Sequence, residues 1–80
     1  MGGSDGQGVN NEAGLTPREW EVLYWLAQGK RNAEIAVILE CKTGTVIKHI
    51  SRIFAKIGVE TRVAAANWFR DFRGGGRRMA

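Results

Sequence analysis

The stretch from residue 43 to residue 57 constrains the fold of this chain more than any other feature. Its apolar residues recur at the spacing of one helix face, within about 60° of arc at 100° per residue. They are Val46, Ile50, Ile53 and Ile57, with Phe54 at the edge. The opposite side holds Gly44, Lys48, Ser51, Arg52 and Ala55. Because no Asp or Glu lies between residues 43 and 59, the pattern predicts a helix with one buried face and one small, basic outer face.

Two shorter helices are predicted before this one. Thr16 can cap a helix over residues 17–28, Glu19 completes a capping box, and Gly29 is a natural stop. Asn32 is a good cap for a second helix over residues 33–39. The third helix ends at Gly58, and its cap is either Thr43 or the residue before it.

A fourth helix is predicted over residues 62–72, and it has two apolar faces. Val63 and Ala66 lie on one side. The other side holds Ala65, Trp68, Phe69 and Phe72. One helix cannot bury two faces against a single small core, so a second face of this kind suggests a partner. The sequence leaves open which face packs on the core, and we expect the aromatic face to mediate dimerisation.

These elements predict an all-α four-helix bundle containing a helix-turn-helix over residues 15–72. Residues 1–14 contain five glycines and almost nothing apolar, and residues 73–80 are glycine-rich and basic. Both are predicted to be disordered tails, because they cannot bury enough surface to offset their ordering entropy. A single cysteine forbids an internal disulfide, and there is neither a signal peptide nor a long apolar run. We therefore expect a cytoplasmic domain.

The charge balance favours a polyanionic partner. The chain carries a formal charge of +4 and has a pI of about 9.8, which makes nucleic acid the first candidate. A membrane-surface role fits poorly, because the lysines are spread over several helices and do not flank one apolar face.

The second and third helices, joined by three residues, form the arrangement of a helix-turn-helix. The major groove of DNA admits one helix, and the short side chains of Gly44, Ser51 and Ala55 would let its backbone approach closely. A helix N-terminus attracts phosphate, and Thr43 and Thr45 add hydroxyl donors there.

At these residues the sequence resembles the LuxR/GerE family of bacterial DNA-binding domains, without gaps over about residues 15–70. The segments that carry the resemblance are Leu15-Thr16-Pro17-Arg18-Glu19, Val22-Leu23, Ala27-Gln28-Gly29, Asn32, Glu34-Ile35-Ala36, Leu39, Thr45-Val46, His49, Ile53, Lys56-Ile57-Gly58-Val59 and Thr61-Arg62. The sigma-factor domain that reads the −35 promoter element shares the Arg-Glu and Glu-Ile-Ala elements but not the segment after the third helix, so it is the second choice.

The resemblance implies sequence-specific binding of double-stranded DNA by a transcriptional regulator, with the third helix in the major groove. It places the base-contacting positions at Ile47, Lys48 and Ser51. It places phosphate contacts at Thr45, Arg52 and Lys56, and at Arg31 and Asn32 where the second helix begins. It also implies a weak homodimer through the fourth helix, and a receiver or ligand-sensing domain that this chain does not encode. Whether the chain is an excised effector module or a stand-alone regulator stays open.

This sequence departs from the family pattern at four positions. Ile47 stands where a basic or polar side chain is frequent, so it could touch a thymine methyl group or simply cover the rim of the core. Lys48 stands where a small apolar residue is frequent. Glu40 replaces the usual glycine, and Lys42 replaces the usual Ser or Thr cap.

The remaining candidates for chemistry have simpler explanations. His49 is predicted to be a packed, hydrogen-bonded structural residue, and Cys41 a small buried apolar residue. No second His or Cys stands near enough to suggest zinc. No acid/base pair or activated nucleophile is apparent, so neither enzymatic activity nor a cofactor is expected. The alternative function is a helical protein-interaction module that uses the aromatic faces of helices one and four.

Overall fold

The computed structural model describes residues 13–73, and these fold into four α-helices with no strand in that range. They are α1 (Pro17–Ala27), α2 (Asn32–Ile38), α3 (Thr43–Ile57) and α4 (Arg62–Arg73). The all-α prediction is confirmed, and each helix bound lies within about one residue of its predicted position. None of the helices described is long and apolar enough to span a membrane.

The first helix begins where its capping signals predict. The Thr16 hydroxyl accepts a hydrogen bond from the Glu19 backbone N–H at 3.1 Å, and the Glu19 carboxylate accepts one from the Thr16 N–H at 2.9 Å. Gly29 follows the helix with φ of +88°, the left-handed conformation that glycine adopts without strain. The predicted capping box and stop are therefore confirmed.

The cap of α2 differs from the prediction, and the cap of α3 is the second of the two alternatives that the sequence left open. Asn32 is the first residue of α2 and not its cap, which is Arg31; the Arg31 N–H donates to the Glu34 carboxylate at 2.7 Å. The cap of α3 is Lys42, whose side chain makes no capping hydrogen bond. The start of α3 relies on backbone geometry, with Lys42 in the extended region that a cap requires.

The turn between α2 and α3 contains one residue in the left-handed backbone conformation, although it has no glycine. Glu40 has φ of +57°, the only positive φ of a non-glycine residue in the part of the chain described. A side chain in this conformation costs about 1–2 kcal/mol. The Cys41 N–H donates to the Ala36 carbonyl at 2.9 Å, which closes the turn back onto α2. Cys41 itself is half-buried, not fully buried as predicted.

One apolar core joins the four helices. α1 packs against α2, α3 and α4, and α3 packs closely against α2. The buried apolar residues are Leu15, Val22, Leu23, Leu26, Ala27, Ile35, Ala36, Val46, Ile50, Ile53, Ala65 and Phe69. From the predicted stripe of α3, Val46, Ile50 and Ile53 are buried, while Ile57 and Phe54 are half-buried at the edge.

The aromatic face of α4 is the one that packs on α1. Ala65 and Phe69 are buried in this contact and are not available to a partner, while pairing through Trp68 and Phe72 stays a prediction. Ala65 is fully buried and Phe69 is 6% exposed. Trp68 and Phe72 are half-buried, and their rings lie 6.0 and 5.1 Å from the ring of Trp20. The aromatic side of α4 is the one that packs on α1 because large rings bury more area than the small residues of the Val63 side. Trp68 stacks on Phe72 at 5.0 Å.

The predicted domain limits need adjusting by one or two residues at each end. Ala13 packs against the core and the Gly14 carbonyl accepts a hydrogen bond from Lys56, so these two residues belong to the folded domain. Arg73 is the last residue of α4. The rest of the predicted tails, residues 1–12 and 74–80, lies outside the described residues.

Candidate nucleic-acid interface

The outer face of α3 is an exposed surface without acidic residues. The core stripe anchors the opposite side, so these side chains are directed to solvent. Its exposed members are Thr43, Gly44, Thr45, Ile47, Lys48, Ser51, Arg52, Ala55 and Lys56. Every predicted site residue on α3 therefore lies on one accessible surface.

Two cations of this face carry uncompensated charge. Among residues 13–73, neither Lys48 nor Arg52 takes part in a hydrogen bond or an ion pair. They are four residues apart, which places both side chains on the same side of the helix. Three small residues, Gly44, Ser51 and Ala55, surround them. This arrangement leaves both charges available to a polyanion and lets it come close to the helix backbone.

Lys56 is bound within the protein. Its Nζ donates to Glu19 Oε1 at 2.7 Å and to the Gly14 carbonyl at 3.1 Å. The Glu19 side chain is 3% exposed and that of Lys56 is 34% exposed. The ion pair ties the end of α3 to the start of α1, and a phosphate contact by Lys56 stays a prediction.

Burial and ion pairing act in opposite directions on the pKa of Glu19. Burial raises the pKa of this carboxyl. The hydrogen bonds from Lys56 and the Thr16 backbone lower it, as do the charges of Lys56 and His49, and together they outweigh burial. The net pKa lies below the ordinary value of a glutamate, so Glu19 is ionised at neutral pH.

The predicted residues at the start of α2 have different surroundings. Arg31 is exposed. Asn32 is half-buried, and its Oδ1 accepts a hydrogen bond from Arg62 at 2.7 Å. Arg62 also donates to the Lys30 carbonyl at 2.8 Å. The Asn32 side chain therefore links the first residue of α2 to the first residue of α4. Its phosphate contact, like that of Arg31, stays a prediction.

The sequence reasoning assigned no role to Arg62, and it missed the ion pair of Glu19. Arg62 reaches its partners across 30 and 32 residues of chain, and Glu19 reaches Lys56 across 37. No local pattern encodes contacts at such separations. Only the residue types gave a signal. A carboxylate at the start of one helix and an arginine at the start of another are both groups that commonly form hydrogen bonds or ion pairs.

His49 differs from its predicted environment. It is half-buried, but its buried Nδ1 has no hydrogen-bond partner among the described residues. The prediction of a packed residue is confirmed, and the prediction of a hydrogen bond is wrong for this nitrogen. In the same part of the chain, no three His, Cys, Asp or Glu side chains come together as a metal site would require.

Comparison with known proteins matches the sequence of this chain to a family. The family model described as bacterial regulatory proteins, luxR family, matches residues 13–69. The chain is 48% identical over 50 residues to the transcriptional activator protein ExpR of Pectobacterium parmentieri, covering 62% of this chain and 20% of ExpR. It is 45% identical over 60 residues to the nitrate/nitrite response regulator protein NarP of Escherichia coli, covering 75% of this chain and 28% of NarP.

A third relative is the transcriptional regulatory protein DesR of Bacillus subtilis, 44% identical over 62 residues, covering 70% of this chain and 31% of DesR. The chain thus spans less than a third of the length of each of these relatives.

The paired helices α2 and α3, with a basic exposed face on the second, define a helix-turn-helix domain of the DNA-binding class. The match covers more than half of the sequence, and the chain belongs to the luxR family of bacterial regulatory proteins.

Proposed function

We propose that this domain binds specific sequences in double-stranded DNA for a bacterial transcriptional regulator, with α3 in the major groove. The exposed, acid-free face of α3 carries the proposal. A groove about 12 Å wide admits a helix, and small residues on this face reduce the bulk that must enter. The domain would act in the cytoplasm, where bacterial DNA lies.

The two free cations have different roles in this proposal. Lys48 lies beside Gly44 and Ser51, where it can reach acceptors on guanine, so it reads bases. Arg52 lies one turn later, towards the groove edge, and contacts phosphate. Thr43 and Thr45 are exposed in the first turn of α3, where hydroxyl groups and free backbone N–H groups suit a phosphate oxygen.

The binding of duplex DNA is tested by titration at several salt concentrations, using a duplex selected from a random library. The logarithm of the affinity should fall linearly with the logarithm of salt, because phosphate contacts release counterions. Lys48→Ala should lower discrimination by about 1–3 kcal/mol, and Arg52→Ala should weaken all duplexes and reduce the salt slope by about one unit.

Arg18→Ala is the matched control, because it removes one exposed positive charge from α1 and leaves α3 intact. Absence of binding by the folded protein at low salt would refute the proposed function. An unchanged specificity ratio in Lys48→Ala would refute only the role of Lys48.

The proposal also includes weak pairing of two copies through α4. The contact would use Trp68 and Phe72, which are half-buried, and Val63, which is 70% exposed on the other side of the helix, because Ala65 and Phe69 are buried in the core. A two-fold pair would place two recognition helices about 34 Å apart and favour an inverted-repeat site. One relative is named a response regulator, which supports a receiver or ligand-sensing domain as the source of the regulatory signal.

A further inference from the structure

Ile47 is the one large apolar side chain on the outer face of α3 within the described residues, and it is 51% exposed. Its neighbours on the core stripe are far less accessible: Val46 is fully buried and Ile50 is 8% exposed. A residue that covered the rim of the core would lose most of its surface to that contact. Ile47 keeps half of its surface in water, so packing alone does not account for it.

The position of Ile47 relative to the free cations is set by helix geometry. Gly44 and Ser51 lie three residues before and four residues after it, so they are its neighbours on the outer side of the helix. Lys48 follows directly and lies about 100° further around. Gly44 has no side chain, and a Cβ built there would meet nothing within 4 Å. Ile47 therefore lies beside Lys48, next to the small residues Gly44 and Ser51, which leave space around its side chain.

The chemistry of the major groove limits what an isoleucine can recognise there. Each base edge presents hydrogen-bond donors and acceptors, and thymine adds a 5-methyl group. An isoleucine can satisfy no donor or acceptor, so it disfavours the polar edges by removing them from water. A methyl group is the apolar partner that the groove of unmodified DNA offers.

We infer that Ile47 selects a thymine by packing against its 5-methyl group, next to the base read by Lys48. This inference rests on the proposed function and specifies one position of the DNA site. Burying one methyl group corresponds to about a four-fold change in affinity. The recognised site thus contains a thymine whose methyl group matters more than its hydrogen-bonding edge.

The test replaces each thymine of the selected duplex, one at a time, with uracil, which lacks only the methyl group. With the full chain, one such replacement should weaken binding about four-fold. Ile47→Ala should bind the thymine and uracil duplexes equally, because its single Cβ methyl is too short to reach the thymine methyl group from this position. Ile47→Val, which keeps the branched shape, should retain part of the difference and guards against a folding defect in the alanine variant.

A second arm places 5-methylcytosine at the sensitive position, paired with guanine. The wild-type chain should bind this methylated duplex more tightly than the duplex with cytosine at the same position. Ile47→Ala should bind the two duplexes equally. Val37→Ala is the control, since it shortens an exposed apolar residue of α2 that has no part in the proposed contacts, and it should keep the full thymine preference.

The outcomes separate this inference from the proposed function. Specific binding in which no thymine is sensitive to loss of its methyl group overturns the role of Ile47 and leaves the function standing. An equal loss on uracil in the wild type and in Ile47→Ala also overturns it, because the effect then belongs to the DNA. Absence of duplex binding overturns both.

Discussion

At the scale of single residues, Glu19 has two roles, one with a partner near it in the sequence and one with a distant partner. Its carboxylate completes the capping box of α1 and also accepts a hydrogen bond from Lys56. Glu19 is 2% exposed, the one charged residue in the buried set of the described chain. A carboxylate with so little access to water depends on these partners, because an unpaired buried charge is costly.

Lys56→Met should therefore destabilise the domain by about 2 kcal/mol at neutral pH, measured by urea denaturation. Arg18→Met is the matched control: it breaks the exposed Arg18–Glu21 pair, in which both side chains are about half exposed, and should cost less than about 0.5 kcal/mol. Equal costs for the two substitutions would contradict the structural importance of the buried pair.

The same ion pair predicts a pH dependence with a defined sign. The pKa of Glu19 in the folded protein is lowered below its ordinary value of 4.5, so its ionised form contributes stability above that value. The contribution is lost as the pH falls through the folded pKa. The stability difference between the wild type and Lys56→Met should consequently narrow on acidification from pH 7 to about pH 3. A difference that stays constant over this range would show that the substitution acts through packing.

At the scale of elements, the attachment of α2 depends on a side chain from α4. Arg62 donates to the Asn32 side chain and to the Lys30 carbonyl, and so joins the residues that begin α2 to the first turn of α4. α2 has only 7 residues, and a helix that short is not stable alone in water. Its position therefore depends on tertiary contacts, which are its packing on α3 and α1 and the hydrogen bonds from Arg62.

Arg62→Ala should reduce the free energy of unfolding by about 1 kcal/mol and speed the hydrogen exchange of the α2 amides. Arg52→Ala is the control, because Arg52 is exposed on α3 and has no hydrogen bond to another described residue. It should weaken DNA binding without changing the stability. If Arg62→Ala leaves both the stability and the exchange of α2 unchanged, the contact does not hold the helix.

At the scale of the whole molecule, the packing of α4 on α1 forms an aromatic layer on one side of the domain. The Phe69 ring lies 6.4 Å from Trp20 and 6.0 Å from Tyr24, and the Arg73 guanidinium lies 5.6 Å from the Phe69 centroid. This layer buries Ala65 and Phe69 and leaves Trp68 and Phe72 half-buried. On the other side of α4, Val63 is exposed and Ala66 is half-buried against the core.

The two faces of α4 should respond differently to substitution. Phe69→Ala should cost about 3 kcal/mol and unfold much of this small domain, as measured by circular dichroism and thermal melting. Val63→Glu should leave the fold intact and bind one half-site normally, but lose cooperative binding to an inverted repeat. A folded Phe69→Ala variant with normal melting would contradict the core role of Phe69, and full cooperativity in Val63→Glu would exclude that side of α4 from pairing.

The sequence alone determined the number of helices, their bounds and the inward stripe of α3. These features are local: the Thr16–Glu19 capping box, the stop at Gly58 and the spacing of Val46, Ile50 and Ile53 act over a few residues. The outer face of α3 followed from the same periodicity, and all of its predicted site residues are exposed.

Only the tertiary structure decided which face of α4 is buried, what binds Lys56 and what holds Asn32. Each of these depends on groups 30 or more residues apart in the chain, such as Lys56 with Glu19 and Arg62 with Asn32. Local patterns specify helices because backbone hydrogen bonds and caps join near neighbours. The choice among apolar faces and charged partners depends on the packing of all the helices together, which no short segment of sequence encodes.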